Sequence, residues 1–193
     1  MKITSKTTRK QFAGAVVSQL KKHNISSVLV GGACLSIYTN NRHESKDLDF
    51  ISPDSVESIV KALGEIGFER NGRSFNHPAS KLYVEFPSGP VAIGNTIPLK
   101  PEGKLKVNGT TITMLSPTQC VMDRLAAWFA WNDRRSLIHA LWVCEAQPVS
   151  LTKLKTWAEK EREPEKFAQF LEEWKKLKRR NMPTKKATRK RLK

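Results

Sequence analysis

The sequence has few cysteines, few acidic residues and no long apolar run. Its 193 residues include three cysteines and four histidines, all scattered, which argues against both a disulfide framework and a zinc site. No apolar stretch is long enough to cross a bilayer, and polar residues interrupt the basic N-terminal segment, which is therefore not typical of a signal peptide. We expect a cytoplasmic protein with no membrane partner.

The shortage of acidic residues is concentrated at one end of the chain. The protein has 18 Asp and Glu against 34 Lys and Arg, a formal net charge of +16, and residues 175–193 hold eleven of the basic residues and no acidic one. Subtracting these eleven leaves 23 basic residues against 18 acidic ones in the rest of the chain. We expect residues 181–193 to form a basic, disordered tail that either binds a polyanion such as RNA or only aids solubility.

Apolar residues recur at two spacings, which predict different structures. They alternate with polar residues in 47–51 and 82–86, as in strands, and they follow helical spacing in 8–23 and in most of the chain after residue 116. Asn108-Gly109, between two β-rich arms, predicts a hairpin. We therefore predict an α/β (α+β) fold in which a small mixed sheet in residues 1–115 precedes an α-helical region in residues 116–180.

Glycines and carboxylates follow one another in a suggestive order. Gly31 and Gly32 come directly after an apolar strand and open a short helix, where backbone N–H groups can approach a phosphate. Asp47 and Asp49 alternate with apolar residues, so both carboxylates lie on one face of a strand. Glu85 lies on a later strand, and neighbouring strands are about 5 Å apart. Oxygen ligands placed in this way favour Mg²⁺ bound to a nucleoside triphosphate.

This order resembles the nucleotidyltransferase superfamily of the DNA polymerase beta type. The resemblance is carried by VGGACLSIYTNNRHESKDLDF, KLYVEFPSGPVAIGN and LSPTQCVMDRLAAWFAWNDRRSL, which together fall within residues 26–141. They look like the minimal bacterial and archaeal branch, which includes toxin-like enzymes of abortive-infection toxin–antitoxin systems. The resemblance implies a fold with a small mixed sheet and C-terminal helices, and a metal-dependent transfer of NMP from an NTP to an acceptor hydroxyl.

The resemblance also implies roles for individual residues. Asp47 and Asp49 bind two Mg²⁺ (or Mn²⁺) ions, and Glu85 completes the acceptor-side metal site and takes the proton of the acceptor. The expected nucleotide-binding residues are Gly31, Gly32, Ser36, Ser45, Lys46 and Arg124. The alternative for both Ser45 and Lys46 is an ordinary exposed loop, and it is the favoured interpretation for Lys46. Toxin-like relatives carry a lysine where this chain has Arg124, and an arginine differs from a lysine in shape and hydration. The fourteen residues between Gly32 and Asp47 make a longer spacing than the family's.

The sequence does not decide which molecule accepts the nucleotide. RNA, such as a tRNA end, is favoured because of the basic tail; a protein hydroxyl, as in AMPylation, is second and an aminoglycoside third. A non-catalytic relative that only binds nucleotide or nucleic acid is a further alternative. Three carboxylates argue against it, because a simple binder has no need of their mutual repulsion. If the protein is a toxin, an antitoxin protein is its expected partner.

Overall fold

Within residues 2–181, all strands precede the last four helices, in agreement with the predicted order of sheet and helices. The protein is described by a computed structural model, which covers residues 2–181. Its strands are β1 Val28–Val30, β2 Asp47–Ile51, β3 Glu69–Asn71, β4 Ser74–Asn76, β5 Tyr83–Glu85, β6 Gly103–Val107 and β7 Thr110–Met114. Its helices are α1 Arg9–Lys22, α2 Gly31–Tyr38, α3 Val56–Gly64, α4 Pro117–Trp131, α5 Arg134–Ala146, α6 Leu151–Lys160 and α7 Pro164–Asn181. The predicted α/β fold is confirmed. Of the predicted tail, residues 181–193, only Asn181 is described, and residues 182–193 lie outside the described part of the chain.

The strands form one mixed sheet in the order β3-β4-β5-β2-β1-β7-β6. Strand β2 lies at its centre, antiparallel to β1 and parallel to β5. Strands β6 and β7 form the hairpin predicted at Asn108-Gly109, where both residues have positive φ. The hairpin of β3 and β4 was not predicted, although Asn71-Gly72 is the same signal, because its two arms are short and mostly exposed.

Local sequence signals explain where helices α1 and α4 begin. Thr8 and Gln11 form a capping box at the start of α1, and Ser116 and Gln119 form another at the start of α4. Pro117 occupies the first turn of α4, where its missing N–H costs nothing. Within residues 2–181, every helix is too short or too polar to cross a membrane.

One buried apolar cluster joins the sheet to the helices. In β2, the side chains of Leu48 and Phe50 are fully buried in this cluster, while Asp47 and Asp49 are partly exposed on the other face of the strand. Helix α2 contacts β1 and β2 on one side and α4 and α5 on the other. The sheet and the C-terminal helices therefore meet around α2. The division into domains 1–115 and 116–180 stays a prediction.

Candidate active site

Three carboxylates lie side by side on two neighbouring strands. The parallel register of β2 and β5 pairs Asp49 with Glu85 and Asp47 with Tyr83. Because side chains alternate along each strand, all four side chains are on the same face of the sheet. The structure thus brings the three predicted catalytic residues, Asp47, Asp49 and Glu85, to one surface.

Two of these carboxylates are held by serine hydroxyls, and the third is not. Ser45 Oγ donates a hydrogen bond to Asp47 Oδ1, and Ser74 Oγ donates one to Glu85 Oε1 over 3.1 Å. Among residues 2–181, no group donates a hydrogen bond to the Asp49 carboxylate. Of the three carboxylates, Asp49 is therefore the one whose charge is not stabilised by a hydrogen bond.

Negative charge accumulates around Asp49. Its partial burial raises its pKa from 3.8 to about 6, and the nearby charges of Asp47, Glu85 and Asp123 add to this effect. Partial burial and the same cluster of carboxylates also raise the pKa of Tyr83. A cation bound between these oxygens would remove the repulsion.

The donor set fits Mg²⁺, which binds through a few carboxylate oxygens and completes its shell with water and substrate phosphates. Residues 2–181 contain no group of three or more His, Cys, Asp or Glu side chains already gathered around one point as a metal site. Asp47 and Glu85 are hydrogen-bonded to Ser45 and Ser74 instead.

The predicted glycine pair forms the first turn of α2 next to the carboxylates. Gly31 has a φ of +63°, and a Cβ added to it would lie 2.8 Å from Asp49 Oδ2, so glycine is needed for both backbone conformation and space. A Cβ on Gly32 would lie 2.7 Å from Ser45 Oγ. No side chain caps the start of α2. Its first backbone N–H groups therefore lie beside the acidic face without a side-chain acceptor.

Ser36 and Ser45 connect α2 to the start of the acidic strand. Ser36 is fully buried; its hydroxyl donates to the Gly32 carbonyl over 3.0 Å and accepts from the Ser45 N–H over 3.2 Å. Because the Ser36 hydroxyl is buried and bonded to these two backbone groups, we assign Ser36 a positioning role. Arg9 of α1 donates from Nε to the Ser45 carbonyl over 3.0 Å. Nothing in the sequence around Arg9 indicates this contact, which depends on the tertiary fold.

Arg124 of α4 lies close to the acidic face and is paired with its neighbour. Its Nε donates to Asp123 Oδ2 over 3.0 Å. The charge of Asp123 raises the pKa of Asp49, and the charge of Arg124 lowers it, so the pair acts on the acidic face. Sequence reasoning did not single out Asp123 as a site residue. Lys46, by contrast, has an exposed side chain, and its carbonyl accepts the Tyr83 N–H over 3.1 Å.

A pair of histidines that sequence reasoning also missed lies beside the glycine turn. The rings of His43 and His139 have their centroids 4.7 Å apart, and His43 Nε2 is 3.8 Å from the Cβ position of Gly32. Partial burial is the main cause that lowers the pKa of both rings, to about 4 for His139, and Arg124 lowers both further. Partial burial therefore favours the neutral form of both rings, and arginines such as Arg124 supply positive charge beside them.

The fold matches solved structures. An antigenic nucleotidyltransferase-like protein from Paracoccidioides brasiliensis has 14% sequence identity and a TM-score of 0.54, over 86% of this chain and 94% of that chain. The antibiotic-resistance factor ANT(2'')-Ia matches with 14% identity and a TM-score of 0.43, over 90% of this chain and 97% of that one. No protein-family model matches the chain, and no curated protein matches it in sequence. The chain therefore has the fold of the nucleotidyltransferase-like protein, and the predicted resemblance is confirmed at the level of the fold.

Proposed function

We propose that the protein is a metal-dependent nucleotidyltransferase that moves an NMP from an NTP to an acceptor hydroxyl. The observation that carries this proposal is the placement of Asp47, Asp49 and Glu85 on one face of β2 and β5, next to the uncapped first turn of α2. Carboxylates beside a helix N-terminus repel a bare anion, so the arrangement makes chemical sense when a divalent cation accompanies a phosphate.

The triphosphate binds at the glycine turn of α2. Backbone N–H groups of the first turn, at Gly31 and Gly32, donate to no side-chain cap and can donate to phosphate oxygens. Ser45 Oγ lies next to Gly32, and the guanidinium of Arg124 supplies positive charge from α4. Arg124 is now bonded to Asp123. It can contact a phosphate either while this bond is kept or after the bond breaks.

Asp47, Asp49 and Glu85 hold Mg²⁺ or Mn²⁺. A metal ion held by these carboxylates would neutralise phosphate charge and would help the acceptor hydroxyl lose its proton. The acceptor oxygen attacks the α-phosphorus, the bond between the α-phosphorus and the bridging oxygen breaks, and pyrophosphate leaves. Glu85, which lies beside Asp49 on the neighbouring strand β5, accepts the proton that the hydroxyl loses.

RNA is the proposed acceptor. The support is charge: the chain carries a formal net charge of +16, and helix α7 ends in the basic run Lys178, Arg179 and Arg180. Further basic residues follow in 182–193, outside the described part of the chain. The antitoxin partner, and with it a role as a toxin, stays a prediction.

The test uses each NTP labelled on either the α- or the γ-phosphate, incubated with Mg²⁺ and total RNA. Nucleotidyl transfer puts the α-label, and not the γ-label, on the RNA, and Asp47→Ala abolishes it while the variant stays folded by circular dichroism. Labelled protein in a parallel lysate reaction would favour a protein hydroxyl as acceptor. Absence of any α-labelled product, with NTP binding retained, would favour the non-catalytic binder.

A further inference from the structure

The segment between α2 and β2, residues 39–46, brings a histidine back to the glycine turn. This segment makes up most of the fourteen-residue spacing between Gly32 and Asp47. A Cβ added to Gly32 would lie 3.8 Å from His43 Nε2 and 2.7 Å from Ser45 Oγ. His43, Ser45 and Gly32 therefore meet at the first turn of α2. The proposed transfer gives a role to the glycine and the serine but none to the histidine.

Two arginines hold this segment in place, one on each side of His43 in the sequence. Arg42 Nη1 donates to Glu145 Oε2 of α5 over 2.6 Å. On the other side, Arg9 of α1 donates from Nε to the Ser45 carbonyl over 3.0 Å. Both are hydrogen bonds from a charged donor, the stronger kind. Contacts with two different helices thus define where the histidine lies.

A second histidine packs against the first and leaves its nitrogens available. The ring centroid of His139, on α5, lies 4.7 Å from that of His43 and 5.0 Å from that of Trp142. Both histidines are half-buried. Within residues 2–181, the ring nitrogens of these two histidines take part in no hydrogen bond or ion pair. Half-buried polar groups normally have a partner, so a ligand at Gly32 is a suitable one.

The chemistry around His43 suits an anion that accepts hydrogen bonds. Partial burial lowers the pKa of both rings, and the charge of Arg124 lowers both further. The favoured neutral imidazole keeps one N–H donor. Phosphate oxygens are acceptors, and they are also attracted by a guanidinium and by the N–H groups at the start of α2. His43 therefore adds a side-chain donor to a place where phosphate is already favoured.

We propose that His43 binds the leaving end of the NTP, with its Nε2–H donating to an oxygen of the β- or γ-phosphate. His139 is a positioning residue, which holds the His43 ring by packing against it. The inference rests on the proposed function, in which the α-phosphate lies at the carboxylates and the other two phosphates lie at the glycine turn. It follows that His43 distinguishes a triphosphate from a monophosphate.

The experiment measures binding to the full chain, by calorimetry with Mg²⁺, of three kinds of ligand: each NTP, the matching NMP, and inorganic tripolyphosphate. His43→Phe keeps a ring against His139 but removes the donor, whereas His43→Gln keeps an N–H donor without the ring. His139→Phe keeps the packing, and His139→Ala removes it. The control is His23→Ala, at the C-terminal end of α1 and roughly 20 Å along that helix from Arg9.

The proposal predicts that His43→Phe weakens the binding of NTP and tripolyphosphate by about three- to tenfold and leaves NMP binding unchanged. His43→Gln and His139→Phe should retain most of the affinity, His139→Ala should lose part of it, and the His23→Ala control should match the wild type. The unfolding temperature of each variant shows whether a loss of binding is only a loss of folding.

Three results would overturn the role of His43: unchanged binding in His43→Phe, an equal loss for NMP, or an equal loss in His43→Gln. Nucleotidyl transfer with an unchanged KM for NTP in His43→Phe would also overturn it, while the proposed function stands. If tripolyphosphate binding depends on His43 but the wild type transfers no α-label, the phosphate site stands and the proposed transfer falls. A wild type that binds neither NTP nor tripolyphosphate contradicts both.

Discussion

Replacing Asp49 with asparagine should make the metal-free protein more stable at pH 8. Asp49 is half-buried beside Asp47 and Glu85, and this environment raises its pKa from 3.8 to about 6. Above pH 6 the folded protein therefore carries an ionised carboxylate at a free-energy cost that the unfolded chain does not have. Below pH 3.8 the group is mostly protonated in both states, and the cost becomes small.

The size of the effect follows from the pKa. A rise from 3.8 to about 6 corresponds to roughly 3 kcal/mol. Solvent screening of a half-buried group reduces this to about 1–2 kcal/mol. For a chain of this size, the melting temperature of Asp49→Asn should exceed that of the wild type by about 2–8 °C at pH 8 and be nearly unchanged at pH 4.

Thermal and urea unfolding at both pH values, with EDTA present, measure the difference. Glu69→Gln removes one exposed carboxylate on β3 and controls for the general effect of raising the net charge. Adding Mg²⁺ should then stabilise the wild type more than Asp49→Asn, because the metal binds only where the carboxylates attract it. An Asp49→Asn protein that is less stable at pH 8, or equally stabilised at both pH values, would refute the reasoning.

Two other perturbations test the glycine turn and the tail. Gly32→Ala should cost about 1–3 kcal/mol in unfolding experiments and weaken NTP binding, because its Cβ would lie 2.7 Å from Ser45 Oγ. The control is Gly64→Ala, where the new Cβ has open space, and it should leave stability unchanged or raise it. A loss of stability in Gly64→Ala as large as in Gly32→Ala would contradict this explanation. Removing residues 182–193 should leave NTP binding intact but reduce RNA affinity and its salt dependence, so an unchanged salt slope would count against a role in RNA binding.

Local patterns in the sequence were sufficient to predict much of the fold and the acidic face. The alternation of Asp47 and Asp49 with buried apolar neighbours defines which face of β2 carries the carboxylates, and that information is contained in five residues. The hairpin at Asn108-Gly109 follows from turn chemistry alone. These features depend on neighbours in sequence, which is why they could be predicted.

The rest of the site depends on contacts between distant segments. Arg9 reaches the Ser45 carbonyl from α1, and Asp123 acts on Asp49 from α4; neither contact leaves a local pattern. The hydroxyl of Ser36 was expected at the phosphate, but the packing of α2 buries it in a bond to the Gly32 carbonyl. Tertiary packing, and not residue type, decides which of these polar groups face the cleft.

Equilibrium binding of the four NTPs, with Mg²⁺ or with EDTA, tests the central claim most directly. The claim is that the carboxylates of β2 and β5 bind a metal–nucleotide complex. We predict that at least one NTP binds to the wild type with Mg²⁺, and that EDTA or Asp47→Asn weakens this binding by at least about tenfold. NTP binding of equal strength in EDTA and in the Asp47→Asn variant would contradict the claim.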